Sequence, residues 1–494
     1  MSRVELPIAG GAYKSESLPI SNQQCVNWFP NIPQTSGALS AGTLLGCPGV
    51  IQFATTGTLS QVNRGAHVKA GVPYFVNGNA IYRADRTVAI DGTETINLVN
   101  LGLIEGTGRV SMSDNGTQLM VLVPGGKAYI INEDALPVFQ EITDPDFDAN
   151  GNPQHVVFIN SFFICTTDTK KFIRSAANDG LNWNALDSGT AEADPDPIVA
   201  AIVFKNQLFL GGGETFEVFE GVPAGGLGFQ RINGFIINKG LFAQFSLVGI
   251  SDTFMFIGGG LNESPAIWAF SGSTVEKVST TAIDSELQDF TNEEIENAFA
   301  YSYAQNGASF VGFTVGNSTF EFNIVSGLWN ERKSQILTTK GIKVTSRWRT
   351  NSMVTAYNRV IVGDSQDGRL GVVEPDIYTE YDNEIIRTVT TQPFADQGNV
   401  LTVSQLELTV ESGVGDFTTV NPVIRMSVSK DGKTFNNEIS RSLGEVGRYN
   451  QRCIWRKSVG RVPRLVVFKF VMSDPVKPVI IKLEAQMRGY LIGK

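Results

Sequence analysis

From about Arg64 onward the chain repeats one motif: two short apolar runs split by Gly, Asn or Asp, then a looser connection. VPYFVNGNAIYRADR turns at Asn77-Gly78, and RVSMSDNGTQLMVLVPGGKAYIIN turns at Asn115-Gly116 and again at Gly125-Gly126. Asn-Gly between apolar runs signals a hairpin, because the favoured tight turn needs positive φ at its central residues. Further copies read QHVVFINSFFICTTDTKKFIRSA, PIVAAIVFKNQLFLGGGETFEVFEG, SDTFMFIGGGLNESPAIWAFSGSTVEKVS and NGASFVGFTVGNSTFEFNIVSGLWNER, with a weaker one in MVTAYNRVIVGDSQDGRLGVVEP. Similar positions (Phe75, Val121, Phe158, Phe209, Phe256, Phe313, Val362) recur every 37 to 57 residues. That length holds three or four short strands, which cannot bury their sheet alone and must stack. A β-propeller-like body of six or seven irregular blades is the expected solution, since it leaves only short protected edges. A pair of β-sandwiches is the alternative, with strands at similar spacing.

The ends of the chain differ from this body. Up to about Ala54 there is little periodicity, and Pro7, Pro19, Pro30, Pro33 and Pro48 prevent long elements. Cys25, Val26, Trp28 and Phe29 are too apolar for a free tail. Residues 1–60 are therefore expected to form an extended arm lying on the chain's own body or on a neighbouring subunit. Residues 61–378 are the propeller-like body. After about Thr379 the repeat stops and longer alternating strands begin, with Leu406, Leu408 and Val410 on one face and a turn at Asp431-Gly432. Residues 379–494 thus read as a C-terminal β-sandwich, making the chain all-β. One interruption, Ser285 to Ala300, carries helix signals: Thr291 as N-cap, then Glu293 and Glu294 in the first turn.

Catalytic chemistry finds little support. Cys25, Cys47, Cys165 and Cys453 are widely spaced and read as small buried hydrophobes, and His67 and His155 are too isolated for a metal centre. A glycosidase needs two facing carboxylates, and Asp196, Glu214, Glu263, Asp364 and Asp367 form no recognisable pair. GGGETFEVFE and FIGGGLN lack the following helix that a phosphate cradle requires. DSQDGRLG, Asp364 to Gly371, lacks the twelfth-position Glu of a calcium loop and reads as a hairpin turn. No catalytic residue, cofactor site or metal site is expected. No apolar run reaches the roughly 20 residues needed to span a membrane, and the first residues lack the apolar core of a signal peptide.

Charge is strongly divided. The whole chain is −10, yet Arg425 to Lys494 holds fifteen Lys or Arg against five Asp or Glu, leaving about −20 on the rest. In RCIWRKSVGRVPRL the basic Arg456, Lys457, Arg461 and Arg464 flank apolar Trp455, Val462 and Leu465, a mixture typical of interfaces. Three readings compete: a solvated face, a nucleic-acid contact surface, or a docking face for an acidic partner such as another copy. Phe435, Tyr449 and Trp455 are too few aromatics to stack bases. Trp455, Arg456, Lys457, Arg461 and Arg464, with Trp28 and Phe29 of the arm, are the candidate interface residues.

WRKSVGRVPRLVVFKF at Trp455 to Phe470 resembles the C-terminal segment of the tail accessory proteins of short-tailed double-stranded DNA bacteriophages, the packaged-DNA-stabilisation family. The resemblance continues, in order, through VNWFPN, GCPGVIQF, GTGRVSMSDNG, PIVAAIVFKNQLFLGGGETFEVFE and VSKDGKTFNNE. It implies a non-enzymatic structural protein of the virion tail, assembled in the host cytoplasm. Several copies, typically six, would form a ring or nozzle below the portal and its adaptor (connector) ring. That ring would continue the channel for double-stranded DNA without binding it specifically, hold a tail needle or plug, and present its outside to fibres or spikes. An acidic wall would leave DNA mobile, so the lumen is expected to be net acidic and the basic face to lie outside it. The competing functions are a glycan-binding or glycan-cleaving propeller and a tail fibre-attachment protein outside the channel.

Overall fold

The computed structural model describes residues 2–490 except 36, 58–60, 193–195, 223–226, 306, 339 and 397–399. Among the described residues, seven antiparallel sheets succeed one another as propeller blades. Blade 1 comprises Asn63–Lys69, Val72–Asn77, Ala80–Val88 and Glu94–Leu103, each strand paired to the next. Blades 2 to 4 repeat the pattern from Ser111, Pro153 and Ile198. In blade 5 the first strand is split, Gly240–Leu241 and Val248–Ile250 both pairing with Thr253–Gly259. Blade 6 begins at Phe299 and blade 7 at Thr350.

The middle strands are buried between flanking blades, which is why they read as unbroken apolar runs: LMVL, Leu119–Leu122, is buried throughout. Outer strands meet solvent, and Glu94–Leu103 is half-exposed along its length. The apolar clusters sit between consecutive blades. Met120 and Leu122 pack with Phe163 and Cys165 across blades 2 and 3, and Phe75 packs with Ile361 and Leu370 across blades 1 and 7. The latter cluster closes the ring.

Two irregularities in the repeat have structural causes. Six of the seven spacing markers lie on the second strand of their blade, but Phe158 lies on the first strand of blade 3. Taking Cys165 on the second strand instead restores spacings of 44 residues on either side. The 57-residue gap before Phe313 holds two helices, Thr281–Asp289 and Asn292–Glu296. Thr291 caps the second helix in a capping box with Glu294, as its sequence indicates, whereas the first helix starts earlier than expected, at Thr281.

The N-terminal segment is not an arm laid over a finished body. Gly49–Thr55 is the outer strand of blade 7, antiparallel to Arg369–Glu374, so the start of the chain completes the last blade. Gly49 is required there: a Cβ would stand 2.3 Å from the Thr379 carbonyl oxygen and 2.6 Å from that of Ile377. Cys25–Val26 lies between the outer strand of blade 6 and the sandwich strand Arg387–Thr390, producing one nine-stranded sheet shared by both domains. Trp28–Asn31 pairs with Thr43–Gly46, which joins the long sandwich strand Val479–Tyr490. Ser2–Leu6 pairs with that same strand. The expected arm boundary at residue 60 falls outside the described residues.

The sandwich packs the sheet containing Cys453–Val462, Val400–Val410 and Val479–Tyr490 against the one containing Arg387–Thr390, Val467–Met472, Val423–Ser429 and Ile439–Ser442. Its core contains Trp28, Trp455, Leu406, Met426 and Phe470.

Candidate docking face

Strand Cys453–Val462 forms an edge of the sandwich, pairing with Val400–Val410. Gln405 pairs with Arg456 and Val403 with Gly460, so three residues of the edge strand oppose the single Ser404. This wide bulge puts Lys457 in left-handed conformation (φ 56°) and leaves Arg456 and Lys457 both exposed instead of on opposite faces. Gly460, also at positive φ, shifts the alternation again, turning Arg461 outward and Val462 inward.

Among the described residues, the Arg456 side chain reaches only the amide oxygen of Gln405, at 3.4 Å. Lys430, which sequence reasoning had not singled out, donates to the Arg461 carbonyl at 2.9 Å and extends the patch. The ion pairs of this domain lie elsewhere: Glu407 takes Arg3 and Arg452, Glu438 takes Arg425, and Glu411 takes Lys477. Arg456, Lys457, Arg461 and Arg464 thus form an exposed cationic edge with no ion pair among the described residues. Charge and a bulge on an edge strand also stop uncontrolled strand addition, so the patch protects the isolated chain whatever else it does.

Three of the seven sequence candidates are misplaced as interface anchors. Trp455 is fully buried, donates from Nε1 to the Ile439 carbonyl at 2.9 Å, and packs 5.7 Å from the Phe470 ring. Trp28 lies in the same core. Phe29 meets Phe310 edge-on at 5.2 Å, in the cluster between blades 6 and 7. Val462 and Leu465 are also buried. In a bulged edge strand, apolar residues beside arginines are the inward half of the alternation, and a local sequence window does not distinguish this from a mixed interface.

The candidate acids have structural partners. Asp364 and Asp367 both pair with Arg349, at 2.6 and 3.3 Å, and Asp367 also pairs with Arg369 at 2.8 Å. Glu263 pairs with Lys239, and Asp196 accepts the Glu214 backbone N–H. Among the described residues no three His, Cys, Asp or Glu side chains come together to hold a metal. All four cysteines are free and buried. Burial pushes the Cys165 thiol up and takes Cys47 to about 12, so both are held as thiols.

The structural joint that sequence reasoning missed is Asn27, buried between the two domains at φ 57°. Its backbone N–H donates to the Glu331 carbonyl and its Oδ1 accepts from the Lys333 N–H; its Nδ2 donates to the carbonyls of Lys333 and Ile386. Beside it the buried Arg332 stacks on Trp348 at 4.0 Å and donates to the Pro48 carbonyl. Asn tolerates positive φ, which is the one signal in VNWFPN that could have marked this residue.

The architecture is a closed propeller laced to a β-sandwich by its own N-terminus, with a cationic edge strand exposed to solvent. Residues 4–378 match the family described as Bacteriophage P22 Gp10, beta-propeller, and residues 386–488 match its companion, Bacteriophage P22 Gp10, beta-sandwich. The chain belongs to this family of phage tail accessory proteins that stabilise packaged DNA, and its general role is structural, in the virion tail. No curated protein sequence matches it. Among solved structures, the N-terminal domain of Nup159 is similar at 9% identity, covering 72% of this chain and 99% of that one, with a TM-score of 0.41. The WD40 β-propeller domain of Doa1 is similar at 14% identity, covering 66% and 97%, with a TM-score of 0.38. These likenesses are too loose to carry an argument. No helix among the described residues is long and apolar enough to cross a membrane.

Proposed function

We propose that several copies of this chain, typically six, assemble into a ring below the portal and its adaptor, continuing the DNA channel of the tail as a non-enzymatic nozzle. The ring helps to retain packaged DNA with a needle or plug and takes part in its ejection; fibres or spikes attach outside. It forms in the host cytoplasm and persists in the virion. The observation that carries this reading is the cationic edge of Arg456, Lys457, Arg461 and Arg464, exposed and without ion pairs among the described residues, on a chain whose residues 1–424 carry about −20. Opposed potentials of this kind steer assembly and fix register. The edge docks against an acidic surface of the adaptor or of the next copy, and the lumen is net acidic, so DNA slides past without being gripped.

Imaging of the purified chain, alone and mixed with its portal–adaptor complex, tests this. A ring with an open bore is expected, lost on reversing the four charges (R456E/K457E/R461E/R464E). A persistent monomer that binds glycans would overturn the assignment. A ring whose bore is lined by Arg456, Lys457 and Arg461 would overturn the electrostatic part alone.

A further inference from the structure

A cleft of about 680 Å³ opens where the first strands of blades 1, 6 and 7 begin, lined by Asn63, Phe299 and Asn351 from those strands, and by Arg109, Arg347 and Glu293. Two arginines meet there on one aromatic ring. The Arg109 guanidinium carbon lies 3.4 Å from the centroid of the Phe299 ring and that of Arg347 lies 5.5 Å from it. Both also converge on Asn351. Arg109 donates to its carbonyl at 2.7 Å and to its Oδ1 at 3.0 Å, and Arg347 donates to the same Oδ1 at 3.0 Å. Arg347 further donates to the carbonyls of Trp348 and Thr350.

What is missing is a counter-charge. Among the described residues, neither guanidinium has a carboxylate oxygen within the 4.0 Å of an ion pair. Asp364 is committed to Arg349 and Glu294 to the cap of the helix beginning at Asn292, and Glu293 on the rim makes no ion pair with either arginine. Of the buried arginines among the described residues, Arg349 has Asp364 and Arg332 has Glu321, whereas Arg387 and Arg64, the latter lining this same cleft, are held by backbone carbonyls alone. Removal from water, and the charge of Arg347, hold Arg109 well below its usual pKa, and removal from water also lowers Arg347. Both residues are half-buried, and two like charges partly drawn out of water against a common acceptor are better accommodated with an anion beside them. Donors remain to hold one: of the five N–H groups on each guanidinium, two of Arg109 and three of Arg347 are engaged.

We propose that Arg109 and Arg347 form an oxyanion-binding site in this cleft, taking a phosphate or carboxylate group between them above Phe299. The planar forks of two arginines suit bidentate contacts to such a group, and Phe299 fixes one fork from behind. Glu293, exposed on the rim, repels the ligand and sets an upper limit on affinity. The site is independent of ring assembly and is read on the chain by itself.

Titration calorimetry and thermal melting of the full chain test it, with sodium phosphate and sodium acetate each compared against sodium chloride at equal ionic strength. Saturable heat and a raised melting temperature with phosphate alone assign the ligand as phosphate; a response to acetate as well assigns the broader carboxylate class. R109Q and R347Q should each weaken binding about tenfold, the worth of a charge-assisted contact. E293Q removes a like charge at a solvated position, leaves the fold intact, and should tighten binding about twofold to fivefold. Responses no larger than chloride's, or affinities unchanged in all three variants, would show that Asn351 and Phe299 alone satisfy the arginines and would overturn the site.

Discussion

Trp28 and Phe29 are neighbours on one strand and lie in different cores: Trp28 packs with Leu406 and Trp455 in the sandwich, and Phe29 against Phe310 between blades 6 and 7. Successive side chains of a strand point to opposite faces, so one short strand fastens the two domains back to back. The propeller and the sandwich should therefore unfold together. Calorimetry of the intact chain is expected to show one transition, and Phe29→Ala, costing about 3–5 kcal/mol, should lower it and split the propeller from the sandwich. Two transitions in the unmodified chain would contradict this coupling.

Asn27 should be as sensitive as a core residue. Asn27→Ala removes the side-chain bonds to Lys333 and Ile386 and places alanine, which adopts the left-handed region less readily than asparagine, at φ 57°. A loss of about 2–4 kcal/mol in urea unfolding is expected, of which Asn27→Gly regains only the backbone share.

The charged edge strand should separate docking from stability. Reversing Arg456, Lys457, Arg461 and Arg464 touches exposed side chains and should change unfolding free energy by under about 1 kcal/mol. Trp455→Ala in the same strand empties a fully buried site and should cost about 3–5 kcal/mol. Equal destabilisation by both would mean that the basic residues hold the sandwich together.

Arg349 compensates Asp364, whose side chain is wholly buried. Arg349→Ala leaves that carboxylate stranded and should cost about 3–5 kcal/mol, while the double variant with Asp364→Ala should recover a large part. Additive losses in the cycle would show the pair to be independent.

His155, on the first strand of blade 3, is brought down to about 4 by removal from water, and its Nδ1 has no hydrogen-bond partner. The folded chain thus binds this proton later than the unfolded chain. The stability it contributes is complete above pH 6.5 and is lost as the pH falls from 6.5 toward 4. The residue as a whole is partly exposed, which reduces the effect to about 1–3 kcal/mol. Unfolding midpoints from pH 7 to 4 should drop less steeply in His155→Gln, and identical slopes would rule out this histidine as the source.

Much of the propeller was legible because each blade is a local object. Asn77-Gly78 and Asn115-Gly116 mark turns, and buried second strands such as Leu119–Leu122 appear as apolar runs whose spacing follows the blades. Phe158 was misaligned because first and second strands of blade 3 are both apolar, and periodicity alone does not rank them. At the candidate site the basic residues lie exposed, but Trp455 is not separable from them in the sequence: inward and outward residues alternate in the chain and only the bulge at Lys457 sets which face each takes.

The sequence by itself determined the hairpin repeat, the sandwich that follows it, the capped helix at Thr291 and the division of charge, since these depend on residues close together in the chain. The tertiary structure decided the partners. Gly49–Thr55 closes blade 7 against Arg369–Glu374, Cys25–Val26 joins the sheets of both domains, and Arg109 meets Arg347 over Phe299. Backbone pairing uses N–H and C=O groups that every residue but proline carries alike, and two arginines become a site only when folding brings them together away from water.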